Sequence, residues 1–167
     1  MALVIEDGTG KTDANSFASV TEAITYAADR GFDFPSVVAD VEKLLIQAGD
    51  FILSFEGQFQ GYRTNQNQRL SFPRVNVLMY KGVDYVGADE IPNQLKEAQM
   101  RFAVSANGGE LRPDGTGQEV IKEKVGPLEV QYAERGSGSV TPQFSQGMDL
   151  LEPMFRHSGL QLSVSRA

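Results

Sequence analysis

Apolar residues recur at helical spacing in three stretches of the chain and at strand spacing in two later ones. Val20, Ala23, Ile24, Ala27 and Ala28 share one face of a first helix. Its start is marked by Ser19-Val20-Thr21-Glu22, a capping box in which hydroxyl and carboxylate each satisfy the other's free backbone donor. Arg30 suits the last turn and Gly31 stops it. A second helix is predicted from about Ser36 to Phe55, with Val37, Val41, Leu44, Leu45, Ala48, Ile52 and Phe55 as its stripe. Gly49 inside it costs about 1 kcal/mol relative to alanine, which points to a bend or a close helix contact. A third helix opens at Ile91-Pro92, buries Leu95, Ala98, Phe102, Ala103 and Ala106, and ends at Asn107-Gly108-Gly109.

Between the second and third helices, Gly57 to Asp89 lacks helical periodicity and reads as a long loop with short extended pieces. After Arg112-Pro113-Asp114-Gly115-Thr116-Gly117, Val120 to Tyr132 reads as two extended runs around Gly126-Pro127. Gly136-Ser137-Gly138-Ser139 reads as a linker, and Asp149 to Phe155 as a short helix bent or started by Pro153. Leu160, Leu162 and Val164 alternate with Gln161, Ser163 and Ser165, a strand pattern without a partner in a helical core. Such a strand is expected to pair with another chain. The predicted class is mainly α: a small helical bundle with a loop insertion at 57–90 and an extended C-terminal β-type arm. The expected division is a core at 1–110 and strands with a docking arm at 111–167.

Composition narrows the function classes. At 167 residues with 41% hydrophobic content, the chain is one domain's worth and can bury a sizeable core. No apolar run reaches the length of a membrane span, and Met1-Ala2-Leu3-Val4-Ile5 meets Glu6 and Asp7 too soon for a signal peptide. The absence of cysteine excludes disulfides, thiolate metal sites and cysteine catalysis. A net charge of −7 weighs against whole-surface nucleic-acid binding. The charge is uneven, however. Gly57 to Val83 contains no carboxylate, while Arg63, Arg69, Arg74 and Lys81 supply +4, with Tyr62, Phe72 and Tyr80 interleaved. Basic groups with stacking aromatics are what a single-strand groove uses. The preferred reading is plainer: aromatics packed inward and arginines solvated or paired with acidic neighbours.

Gly8-Thr9-Gly10-Lys11-Thr12 looks like the end of a nucleotide-binding loop. Such a loop needs its first glycine at position 5, which is Ile5, and a helix directly after it, where Asp13-Ala14-Asn15-Ser16 favour a turn. It reads as a decoy. His157 is the single histidine and has no serine–carboxylate setting around it, and no carboxylate spacing resembles a calcium loop. No catalytic, cofactor or metal residues are expected, and the residues by themselves point to a binding or structural protein.

Several separated segments together resemble a bacteriophage family. They are Val4 to Gly10, then Ala14-Asn15-Ser16-Phe17 with Ser19-Val20 and the helix that ends at Gly31. Gln68-Arg69-Leu70-Ser71-Phe72-Pro73-Arg74 follows, with phenylalanine where the family commonly has tryptophan. Ile91-Pro92 with Leu95-Lys96-Glu97-Ala98, and Glu123 to Ala133, complete the set in the same order. Members are often labelled DnaT-like single-stranded-DNA-binding proteins. The resemblance implies a head-to-tail adaptor: a mainly helical subunit of a homo-oligomeric ring (twelve copies by the family's habit) under the portal of a tailed phage. Its partners would be the portal protein, a tail or second neck protein, and duplex DNA passing without specific binding. The expected location is the virion, after synthesis in the host cytoplasm, with no membrane partner. The C-terminal residues Leu160, Leu162, Val164 and Arg166 would dock on the portal or a neighbouring subunit. The alternatives are a single-stranded-DNA-binding replication protein, using Tyr62, Arg63, Arg69, Arg74 and Lys81, and a tail-completion or terminator protein.

Overall fold

The N-terminal residues close a loop on themselves before any helix begins. Ile5 bridges Ser16 in parallel, and Asn15 holds both ends, accepting from Val4 N at 2.8 Å and donating to Ala2 O at 3.0 Å. A computed structural model of the chain describes residues 2–79, 84–111, 122–125, 128–131 and 145–156. The expected Gly136–Ser139 linker and the Leu160–Val164 strand lie outside these residues.

Helix α1 spans Val20–Asp29 and starts at the expected capping box: Ser19 N donates to the Glu22 carboxylate at 2.7 Å, and Glu22 N to Ser19 Oγ at 3.2 Å. Helix α2 spans Val38–Leu53 and α3 spans Asn93–Asn107. Helix α2 begins later than the apolar stripe suggests. Val37 is its exposed N-cap residue rather than part of the buried face. Gly49 marks a close contact, since a Cβ there would lie 2.9 Å from Asn15 O. Helix α4, Ser145–Leu151, packs on α3, where Gly147 lies so close to Phe102 that a Cβ would fall 2.4 Å from the ring. Leu45, Ala48, Ile52, Leu95, Ala98, Phe102 and Leu151 form the centre of the core.

Gln99 joins these pieces from inside. Its carbonyl oxygen accepts from Phe17 N at 2.7 Å and Ala18 N at 3.1 Å, and its amide donates to Leu45 O at 2.8 Å and Ser16 Oγ at 3.0 Å. A buried amide that fulfils all these partners ties the N-terminal segment to α2 and α3.

The segment after α2 overturns the mainly helical reading. It is built as short antiparallel ladders: β1, Tyr62–Arg63, on β2, Arg74–Val75, and β3, Leu78–Met79, on β4, Asp84–Tyr85. A further hairpin pairs β5, Lys122–Val125, with β6, Leu128–Gln131. The fold is therefore a mix of helices and small antiparallel ladders rather than a helical bundle with a loop. Strands of two residues have no room for a period-2 pattern, and side chains hold them in place instead. Gln60 does this for β3: its amide donates to Pro153 O at 2.9 Å and Phe155 O at 3.0 Å, while its oxygen accepts from Leu78 N at 3.1 Å. Phe59 bridges Phe155, and Arg156 N donates to Gln58 O at 2.7 Å, so the chain after α4 seats against the start of the insertion.

Two compact units can be distinguished. One comprises 1–111 with 144–167, and the other, 112–143, contains the β5–β6 hairpin.

Candidate nucleic-acid interface

The basic stretch from Gly57 to Val83 begins immediately after Glu56, and that carboxylate organises it. Glu56 Oε1 accepts from Arg74 Nη1 at 2.7 Å and from Arg63 Nε at 2.9 Å. Arg74 is 4% exposed, and its remaining donors reach Gln60 O at 2.7 Å, Gly61 O at 3.0 Å and Ser71 O at 3.2 Å. Its guanidinium lies about 6 Å from the rings of Phe59 and Phe72, both wholly buried. Arg74 is thus a buried tie between turn and ladder, with four of its five N–H donors engaged inside the protein. Arg63 also donates to Gln68 O at 2.9 Å, and Arg69 lies 3.5 Å from Asp50 at the edge of α2. Set against Glu56 and Asp50, the four cations Arg63, Arg69, Arg74 and Lys81 leave a net +2. Lys81 and Tyr80 lie outside the described residues, as do Leu160, Leu162, Val164 and Arg166.

Burial would by itself raise the Glu56 pKa. The Arg63 contact, the nearby Ser71 hydroxyl and the Arg74 hydrogen bond and charge together outweigh it and hold the carboxyl below its ordinary value. Ser71 Oγ and Glu56 Oε2 are both buried without a well-formed hydrogen bond, so the arginines carry the effect.

Two aromatic rings remain open to solvent. Tyr62 on β1 is 68% exposed and Tyr85 on β4 is 70% exposed. Tyr85 was not visible as a candidate because it falls two positions beyond the carboxylate-free run, behind Asp84. Tyr62 keeps its place among the candidates; Phe72 is wholly buried against Phe59, with ring centroids 5.3 Å apart.

The nucleotide-like loop packs against the same stretch, where Asn65 Nδ2 donates to Gly10 O and Arg69 N to Lys11 O. Its backbone donors are occupied: Gly8 N and Gly10 N reach Glu6 Oε1 at 3.0 and 2.9 Å, and Lys11 N reaches Glu6 Oε2 at 2.8 Å. Among the described residues no cluster of His, Asp or Glu side chains is placed to hold a metal ion, and no helix is long and apolar enough to cross a membrane.

Two exposed tyrosine rings and internally paired arginines are what this stretch presents. A family described as "Putative DnaT-like ssDNA binding protein" matches residues 1–167, and the chain belongs to that family. No curated protein and no solved structure matches it. The family's description fits the single-stranded-DNA alternative better than the head-to-tail adaptor, which the match does not confirm.

Proposed function

We propose that the chain is a single-stranded-DNA-binding protein of modest affinity whose contact surface is aromatic rather than cationic. The observation that carries this reading is the exposure of Tyr62 and Tyr85, both on the short ladders of the insertion. Bases stack on such rings regardless of sequence, with about 1–3 kcal/mol per stacked base. The family's description supports the same reading. A net charge of −7 and arginines already paired to Glu56 and Asp50 leave little for phosphates, so binding is weak and depends on stacking. The test is fluorescence anisotropy with a labelled oligothymidylate. Binding should be measurable at low salt and fall sharply for Tyr62→Ala or Tyr85→Ala. An oligonucleotide that stays free at low salt would dispose of this reading.

The same neutralised arginines favour a second reading, the head-to-tail adaptor. Duplex DNA passes an acidic surface without sticking, and guanidinium groups paired to carboxylates offer it little hold. Portal and tail proteins would then be the partners, with Leu160, Leu162, Val164 and Arg166 as the docking residues. Co-sedimentation with portal rings, together with no oligonucleotide binding, is the outcome that would favour it. Neither reading asks for a catalytic residue or a cofactor.

A further inference from the structure

Three backbone N–H groups of one short loop converge on a single buried carboxylate, and nothing in either functional reading uses them. Glu6 is 2% exposed, with Gly8 N, Gly10 N and Lys11 N all within 3.0 Å of its oxygens. Concave clusters of backbone N–H groups hold phosphate and other oxyanions. Glycine at positions 8 and 10 gives the loop its shape, with φ of +99° and +73°.

The loop is held from outside as well. Asn65 Nδ2 donates to Gly10 O at 3.1 Å, and Arg69 N donates to Lys11 O at 3.1 Å. A Cβ on Gly8 would fall 1.8 Å from Asp89 O, so backbone meets backbone there. None of these contacts runs through Glu6. The Lys11 ammonium is engaged elsewhere, on Ile5 O at 2.8 Å and Asp7 at 2.9 Å.

We infer that residues Gly8–Lys11 form an oxyanion-binding nest, shaped independently of its occupant and filled by the chain's own Glu6 carboxylate. The likeness of Gly8-Thr9-Gly10-Lys11-Thr12 to a nucleotide loop is then chemical as well as textual. The donors are those a phosphate would use, but the anion comes from two residues upstream and closes the site to outside phosphate. Once that carboxylate is removed, the nest accepts inorganic phosphate or a small carboxylate.

The experiment compares the full chain with Glu6→Ala and Glu6→Gln, following the thermal midpoint in sodium phosphate, sodium formate and sodium chloride at matched ionic strength. Glu6→Ala should melt lower than the parent and recover saturably in phosphate or formate, but not in chloride. The parent should not respond, and Glu6→Gln should stay low because its amide still occupies the space. A Glu6→Ala midpoint that moves equally in all three salts, or a parent that responds as strongly, overturns the inference. Amide exchange in the parent protein gives a second reading that needs no variant. Gly8, Gly10 and Lys11 should exchange slowly although they lie in a loop, and free exchange at all three would also overturn it.

Discussion

Three side chains show how far single residues set this fold, and each can be tested alone. Gln99 satisfies two N–H groups, a hydroxyl and a carbonyl from two segments; Gln99→Leu keeps the bulk but strips Phe17 N of its partner, while Ala18 N and Ser16 Oγ keep each other. The expected loss in chemical denaturation is about 1–3 kcal/mol, the cost of one orphaned buried group. Arg74→Ala should cost about 3 kcal/mol, the low end for breaking a buried pair because Glu56 keeps partial solvent access. The pH dependence follows in sign. The folded Glu56 pKa lies below its ordinary 4.5, so its contribution is present above that value and disappears as pH falls through the lower folded value. Arg74→Ala should flatten this acid limb of the stability curve. At the surface, the Thr9 hydroxyl first, then the Lys11 side chain and the Thr9 N–H, bring Asp7 from 3.8 down to about 2. Carboxyl NMR should show Asp7 titrating near that value, and Thr9→Val should move it back toward 3.8. The charge pattern left the insertion's arginines either solvated or paired with acidic neighbours, and did not say which partners. Glu56 and Asp50 lie outside the carboxylate-free run, and pairing across a fold is not a property of sequence spacing.

At the level of elements, legibility divides by the range of the contacts that make each one. The α1 start was readable because Ser19 and Glu22 are three residues apart and satisfy each other without help from the rest of the chain. Ser19→Ala should therefore cost about 1 kcal/mol and fray the first turn in amide exchange. The three helical faces were largely readable too, with Val37 and Ala28, both exposed, as errors, since periodicity alone does not say where a stripe stops. Gly49 was readable as a contact but not for its partner. Gly49→Ala should destabilise despite alanine's better helix propensity, because the new methyl meets the fixed carbonyl of Asn15 at 2.9 Å and overpacking costs about 1–3 kcal/mol. The ladders β1–β2 and β3–β4 were hidden, and with them the mixed character of the fold. Their strands are two residues long, and Gln60 ties β3 to Pro153 and Phe155, more than ninety positions away. The exposure of Tyr85 was hidden for the same reason: it depends on the pairing with Leu78.

On the scale of the whole molecule, the two functional readings use different parts of the chain, and one truncation separates them. The last contacts that hold the described C-terminal segment are Arg156 N to Gln58 O at 2.7 Å and Arg156 Nε to Phe59 O at 2.9 Å. Just before them, Leu151 and Met154 are wholly buried in the core. Removing residues 157–167 should thus leave the fold and its denaturation midpoint nearly unchanged. Removing the chain from Leu151 onward should unfold it, because burying a leucine or methionine in such a core contributes about 2–5 kcal/mol each by truncation measurements. The shorter deletion keeps Tyr62 and Tyr85 but lacks Leu160, Leu162, Val164 and Arg166. If the protein works on single strands through its tyrosines, oligonucleotide affinity should survive the deletion and disappear in the Tyr62→Ala, Tyr85→Ala double variant. If it works as an adaptor, portal attachment should fail in the deletion and survive in the double variant. Anisotropy and portal co-sedimentation on the same two proteins therefore give opposite patterns under the two readings. A deletion that changes neither measurement would sink the docking role of the C-terminal residues.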